Sequence, residues 1–428
     1  MMDQMEEKEL KWLKLDNAAK IYPAARRRNW NNMFRVSATL KEPVDPFLLN
    51  QAVTETVPRF PSISARLRKG FFWYYLEETE SLPRARMDTY APLADIRFKD
   101  IRKCAFRVLY YRRRIALEIY HSLTDGNGGL VFLKTVVSRY LELRYGIEIP
   151  HTDGVLDIGV TAPEEELEDS FLKYSGDVRM SRKEPSSYHI KGQINESGYL
   201  DLTCVTLDVN DLLKRTREKG VTITEYLTAL FIMSTLEIQK REGNRKRFVK
   251  ILVPVNLRKL FLSSTLRNFV LFVTPGVDPK LGEYTFDEVL QSVHYQMKLD
   301  VTPKNMRARI AANVKSEKYL IVRIMPLAIK NMIMKLVYSL VGETKATFTC
   351  SNLGNVKVPS EMEPYIERFD FVLGAQVTQH NNCGVVSFGD KLRINLTRNI
   401  KEAKLEYEFI KALKAQGIAY TLEGTRVE

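Results

Sequence analysis

The residues with the most chemical promise in this chain stand together in Ile119-Tyr120-His121-Ser122-Leu123-Thr124-Asp125-Gly126: a histidine, three residues, then aspartate and glycine. Histidine titrates near neutral pH, so it can take a proton from a hydroxyl or amine and return it within one turnover. A nearby carboxylate can fix its surroundings. The flanking pattern says what would hold the pair. Ile115, Leu117, Ile119 and His121 alternate with Ala116, Glu118 and Tyr120, the period of a half-buried strand. After Gly126, Gly128 and Gly129, Leu130, Leu133, Val137 and Leu141 recur at helical spacing, and Gly146 supplies a stop. The motif is therefore expected where a strand gives way to a helix, with glycines that let backbone approach a substrate closely. Taken alone, a histidine at a strand end is more often structural than catalytic, so the rest of the chain must weigh in.

The elements needed to position such a site can be read along both halves. In the first, strands are expected over 32–40, 63–67, 71–75, 105–111 and 114–120, with a helix over 46–57. In the second, strands are expected over 200–207, 248–254, 270–274, 347–352, 371–378, 384–388 and 392–397. Helices are expected over 208–219, from the capping box Thr222-Ile223-Thr224-Glu225 to about Gln239, over 286–300 and over 402–414. Strands and helices mixed in each half, with a hairpin at Gly389-Asp390, indicate α/β lobes rather than one regular barrel. Between them, 151–198 carries the acidic run Glu164-Glu165-Glu166-Leu167-Glu168-Asp169 and a basic stretch at Arg182-Lys183-Glu184-Pro185, which reads as a solvated crossover. The most apolar segment, Leu320 to Val341, is interrupted by Arg323, Lys330 and Lys335 and broken by Pro326, so it is too short to span a membrane. It reads as a buried or half-buried helix pair. The other reading is a methionine-rich surface (Met325, Met332, Met334) that meets lipid or a long acyl chain, allowing peripheral membrane contact.

Composition narrows the function classes. The chain has 428 residues, enough for two domains, with 45% hydrophobic and 27% charged residues. Cys104, Cys204, Cys350 and Cys383 are scattered without a CxxC pair, so neither a metal site nor a disulfide scaffold is expected. The start, Met1 to Lys8, lacks the apolar core of a secretory signal, and a cytoplasmic location is expected. The net charge of +13 includes the runs Arg26-Arg27-Arg28 and Arg112-Arg113-Arg114. A solvated surface and attraction for a phosphate-bearing ligand both account for it. The cations are dispersed and no nucleic-acid motif occurs, so no nucleic acid is expected as partner. The P-loop and GxGxxG fingerprints are missing too.

The stretch at His121 resembles the HHxxxDG motif of the coenzyme A-dependent acyltransferase superfamily, which includes chloramphenicol acetyltransferase and peptide-synthetase condensation domains. Tyr120 replaces the first histidine, leaving HxxxDG. Further segments look like the alcohol acetyltransferase-like branch: Lys14 to Pro23, Arg59-Phe60-Pro61-Ser62-Ile63, Gly70 to Glu77, Val253-Pro254-Val255-Asn256-Leu257-Arg258, Arg267-Asn268-Phe269 and Ser351-Asn352-Leu353-Gly354. The resemblance implies an α/β fold of two chloramphenicol acetyltransferase-like lobes, each a mixed sheet with flanking helices, and a tunnel between them. The N-terminal lobe is expected over 1–165, a crossover linker over 166–198 and the C-terminal lobe over 199–428.

It also implies the chemistry. His121 is the base, Asp125 and Gly126 organise the loop, and Asp125 pairs with an arginine of the other lobe, matched here to Arg258. Asn268, Ser351 and Asn352 are candidates for lining the tunnel or holding the tetrahedral oxygen. The activity implied is transfer of an acyl group, acetyl by default, from coenzyme A to a hydroxyl or amine of a small acceptor. No cofactor is implied beyond acyl coenzyme A as co-substrate, and the chain would act as a monomer. Two alternatives stand: a free-standing condensation-type domain fed by a carrier protein, and a non-catalytic ligand-binding member.

Overall fold

Three sheets and their covering helices make up the computed structural model, which describes residues 12–25, 32–79, 83–89, 91–94, 97–177, 185–195, 199–243, 246–337, 343–376 and 378–424. Met1 to Lys8, the run Arg26–Arg28 and the stretch Arg182 to Glu184 lie outside the described residues. The first lobe is built on a sheet ordered Ile366–Leu373, Met33–Leu40, Arg114–Tyr120, Phe106–Tyr111, Arg86–Met87, antiparallel except for the last pair. The alternation from Ile115 to Tyr120 does form a strand, and its register sets Met33 against Tyr120 and Phe34 against Ile119. Both faces are covered, so even the out-of-phase positions are buried. Helix Gly126–Tyr145 packs across this sheet and ends at Gly146 in the left-handed conformation, φ +65°. A small antiparallel sheet, Trp12–Lys14, Tyr74–Glu78 and Ala65–Lys69, stands beside it.

The second lobe's sheet runs Val270–Val273, Val249–Asn256, Phe348–Asn355, Asn381–Phe388, Lys391–Arg398, Asp201–Asp208, Thr421–Gly424. Phe348–Asn355 is parallel to both its neighbours, and the other pairs are antiparallel. Helix Ile223–Arg241 opens with the expected capping box: Thr222 and Glu225 satisfy each other's backbone N–H groups. Each lobe has its own apolar core.

The lobes are not cut cleanly by sequence. Strand Ile366–Leu373, from the second half, completes the first lobe's sheet, and Val356, Met362, Phe369 and Phe371 sit in the first core. The second lobe holds the same strand through side chains: Asn395 Nδ2 donates to Phe371 O (3.2 Å) and Thr397 Oγ1 to Leu373 O (2.8 Å). A Cβ at Gly384 would lie 2.1 Å from Phe371 O, so only glycine lets the strands approach this closely.

Several local expectations need correction. The strand expected over 371–378 lies earlier, at Ile366–Leu373, and that over 71–75 lies later, at Tyr74–Glu78. Helix Pro303–Lys318 was not anticipated, although Thr302 before Pro303 marks a helix start. The acidic run is not a solvated linker throughout. Glu166 is buried and receives both arms of Arg59 at 2.7 and 2.9 Å, while its carbonyl accepts from Leu266 N at 2.9 Å. The run thus ties the crossover to the first lobe and to the loop at 265–267. The apolar segment forms helices Leu320–Ile324 and Leu327–Val337, with Met332 exposed rather than buried. No single helix among the described residues is long and apolar enough to cross a membrane.

Candidate active site

The strand Arg114–Tyr120 ends one residue before His121, and the His121 N–H donates to Asn32 O at 2.9 Å. The ring stacks on Tyr22, with centroids 4.5 Å apart, and meets the edge of Phe34 at 5.1 Å. Its Nδ1 lies 3.0 Å from Asn268 Oδ1. The orientation of that amide is set by its other end: Asn268 Nδ2 donates to Asp16 Oδ2 (3.2 Å) and to the His121 carbonyl (3.0 Å). With both amide hydrogens committed, Oδ1 must face the imidazole. In the neutral ring Nδ1 then carries the proton and Nε2 is the acceptor. Nε2 makes no hydrogen bond among the described residues, and the ring lines a cavity. Burial pushes the imidazole pKa below its ordinary 6.5, opposed by the charge of Asp125, the Asn268 hydrogen bond and the charge of Asp16. The same burial raises the carboxyl of Asp16, against the pull of Arg267.

Asp125 lies at the start of the helix and is almost wholly buried. Its Oδ1 accepts from Asn127 N and Gly128 N at 3.1 and 3.2 Å, capping the helix. Its Oδ2 accepts from Arg258 Nη1 at 2.8 Å and Phe269 N at 2.9 Å. Arg258 also donates to Thr265 O and Arg267 O, so it is a brace between lobes and not a surface side chain. The glycines serve the same joint. A Cβ at Gly128 would lie 2.4 Å from Leu266 O, and one at Gly126 would lie 2.8 Å from Leu353 Cδ2. Gly126 still reaches the cavity, whereas Gly128 is committed to contact between lobes.

The cavity measures about 710 Å³ and is lined from both lobes, by Tyr22, Phe34, His121, Asn268, Ser351 and Asn352 among others. The two strand candidates differ. Asn352 is committed, donating to Thr224 Oγ1 and accepting from Gly354 N. Ser351 lines the cavity with its hydroxyl unpartnered among the described residues. Asn268, with its amide fully used on His121 and Asp16, holds the ring and has no donor left for a substrate oxygen. The spacing around His121 gave no hint of Asp16, which lies far off in sequence.

Of the two arginine runs, Arg26–Arg28 lies outside the described residues and Arg112–Arg114 does not line the cavity. Arg112–Arg114 forms the turn at the opposite end of the His121 strand, about 20 Å away at a strand's rise per residue. Arg113 and Arg114 pair there with Glu367 and Asp88. Lys20 and Lys330 line the cavity, both over the Trp73 ring, at 5.2 and 3.4 Å from its centroid. Lys20 pairs with Glu317, and burial together with the charge of Lys20 pushes Lys330 down to about 8. A second cavity of about 800 Å³ adjoins at Lys20, Trp73 and Glu317.

The other four histidines, His151, His189, His294 and His380, line neither cavity. No cysteine lines either one, and burial raises the thiols of Cys104 and Cys204 to about 11 and about 12, so none is a ready nucleophile. Among the described residues no group of His, Cys, Asp or Glu is placed to hold a metal ion.

No family model matches the sequence, and a search of curated proteins finds no relative. Solved structures do match over nearly the whole chain. The first condensation domain of the CDA synthetase superposes with a TM-score of 0.63 at 14% identity, over 95% of this chain and 96% of that one. The wax ester synthase/diacylglycerol acyltransferase from Marinobacter aquaeolei gives 0.55 at 14% identity, over 95% and 100%. The trichothecene 15-O-acetyltransferase from Fusarium sporotrichioides gives 0.55 at 10% identity, over 94% of each chain. The chain has the two-lobed fold of these condensation domains and acyltransferases. At this identity the likeness establishes the arrangement of lobes, and the chemistry must be argued from the residues in the cavity.

Proposed function

We propose that this protein is an acyltransferase that moves an acyl group from a coenzyme A thioester to the hydroxyl of a small acceptor, with His121 as general base. The observation that carries the reading is the geometry of His121: Nδ1 tied to Asn268 Oδ1 and Nε2 left free in a cavity between lobes. Its lowered pKa keeps the base neutral at pH 7. Nε2 takes the proton of the acceptor hydroxyl as its oxygen attacks the thioester carbonyl carbon. Charge develops on the carbonyl oxygen, and the Ser351 hydroxyl is one donor on the cavity wall to stabilise it. The tetrahedral intermediate collapses with cleavage of the carbon–sulfur bond, and the imidazolium returns its proton to the leaving thiolate. Transfer is direct, because no activated nucleophile lines the cavity. Asp125 and Arg258 hold the lobes in register and carry no proton.

The likeness to condensation domains favours a second reading, in which the thioester is presented by a carrier protein. Free-thiol release from acyl coenzyme A donors with pooled alcohols, set beside the same acyl group on a loaded carrier, separates the two. In either case His121→Ala should slow turnover by about 10²–10⁴-fold with the fold retained, as read by circular dichroism and a cooperative melt. Full activity in that variant would remove the mechanism.

A further inference from the structure

Two segments far apart in sequence form one exposed apolar face. The turn after Ala65–Lys69 carries Phe71, 74% exposed, and Phe72, whose rings meet edge to face. Helix Leu327–Val337 exposes Ile329, Met332 (67%), Ile333 and Leu336 (60%), and Ile324 is exposed on the helix before it. Three hydrogen bonds join them: Leu327 N to Phe71 O (2.9 Å), Lys330 Nζ to Phe72 O (2.8 Å), and Asn331 Nδ2 to the Tyr74 hydroxyl (3.1 Å). Lys330 Nζ also sits 3.4 Å from the centre of the Trp73 ring. The face is thus a fixed surface. It borders the candidate site, because Trp73, Met325, Lys330, Ile333 and Met334 also line the cavity.

Its charge is one-sided. From Lys318 to Gly342 the chain carries no acidic residue, and from Arg66 to Leu76 it carries none either. Two of the acids that bound these segments are already paired, Glu77 with Arg66 and Arg68, and Glu317 with Lys20; Glu78 follows Glu77, and Glu343 stands at the far bound of the other segment. Lys69, Arg323 and Lys335 are exposed at the edges, without an ion-pair partner among the described residues. Exposed aromatic and aliphatic side chains flanked by cations, with no acid among them, are the composition of a segment that lies in a membrane interface. A helix of 11 residues cannot span a bilayer and would lie in its plane. A second copy of the chain fits the face poorly. A symmetric dimer sets a surface against itself, which would oppose these cations with the same cations on chains of net charge +13.

We propose that this face docks on an anionic lipid surface, apolar side chains in the interface and Lys69, Arg323 and Lys335 against the headgroup phosphates. The docking does not depend on acyl transfer and is tested without substrate. The full chain is sedimented with vesicles of phosphatidylcholine alone and of phosphatidylcholine mixed with phosphatidylglycerol. Wild type should sediment with the mixed vesicles and release as salt rises. Met332→Glu with Leu336→Glu, neither lining a cavity, should weaken that binding by at least about tenfold with unchanged melting. Arg323→Glu with Lys335→Glu should abolish the preference for the anionic vesicles. Wild type left in the supernatant overturns the proposal, as do vesicle-bound variants of both kinds. A dimer that the Met332→Glu, Leu336→Glu pair dissociates would assign the face to a second copy and overturn it equally.

Discussion

Asp125→Asn separates a structural brace from a participant in proton transfer. Asparagine caps a helix as well as aspartate does, so Oδ1 can keep its bonds to Asn127 N and Gly128 N. The other end of the side chain then becomes an NH2 group facing two donors, Arg258 Nη1 and Phe269 N, which now sit 2.8 and 2.9 Å from a carboxylate oxygen. Turning the amide over restores those two partners and uncaps the helix. Removing one partner of a buried pair costs about 3–5 kcal/mol. Arg258 keeps Thr265 O and Arg267 O, so the lower end, about 3 kcal/mol, is expected, or roughly two decades in the folding constant. Urea unfolding should show this as a lower midpoint at unchanged slope, and turnover should fall with it because the motif loop loses its fixed position. Asp125 also holds the His121 pKa up, so in the variant the acid limb of kcat/KM should move to lower pH. Arg258→Met should weaken the same joint, and the double variant should cost less than the sum of the two by about 0.5–3 kcal/mol. Turnover that collapses while the unfolding free energy stays within about 0.5 kcal/mol of wild type would refute the brace, because surface-like insensitivity is incompatible with these contacts.

Three further outcomes follow from the geometry. Because burial lowers the His121 pKa, kcat/KM should lose its activity on acidification with a midpoint below 6.5, and a limb at or above that value would contradict the buried setting. The folded chain also binds this proton less readily than the unfolded one, so the stability associated with His121 is present above pH 6.5 and declines as pH falls through that value; titration of Tm in wild type and His121→Ala reads the difference. Gly128→Ala would place a Cβ 2.0 Å from Thr124 Oγ1 and 2.4 Å from Leu266 O, and should destabilise the chain by about 1–3 kcal/mol through overpacking between lobes; wild-type stability would mean the lobes separate there at no cost.

What the sequence by itself determined is the local frame of the site. Alternation from Ile115 to Tyr120 marks the strand Arg114–Tyr120, and the turn residues 112–113 close it on one side. The helix that follows is legible from Leu130, Leu133, Val137 and Leu141 at helical spacing, whereas its start at Gly126, capped by Asp125, lies among glycines that read as a break. Thr222 with Glu225 fixes another helix start through two reciprocal hydrogen bonds. Each of these rests on bonds and contacts between residues a few positions apart, which composition and period register directly. The pairing of Arg258 with Asp125 came from resemblance, since no periodicity links residues 133 apart. Tertiary structure alone decided the rest. The strand Ile366–Leu373 was misplaced from sequence because its bounds follow from its register against Met33–Leu40, more than 300 residues away. Glu166 sits in an acidic run that reads as solvated, yet Arg59 takes it into the interior. The tautomer of His121 depends on Asn268, whose orientation depends on Asp16, and three side chains from three distant segments meet only once the lobes close. Local pattern names the residue able to take a proton; long-range packing chooses which of its nitrogens is free to do so.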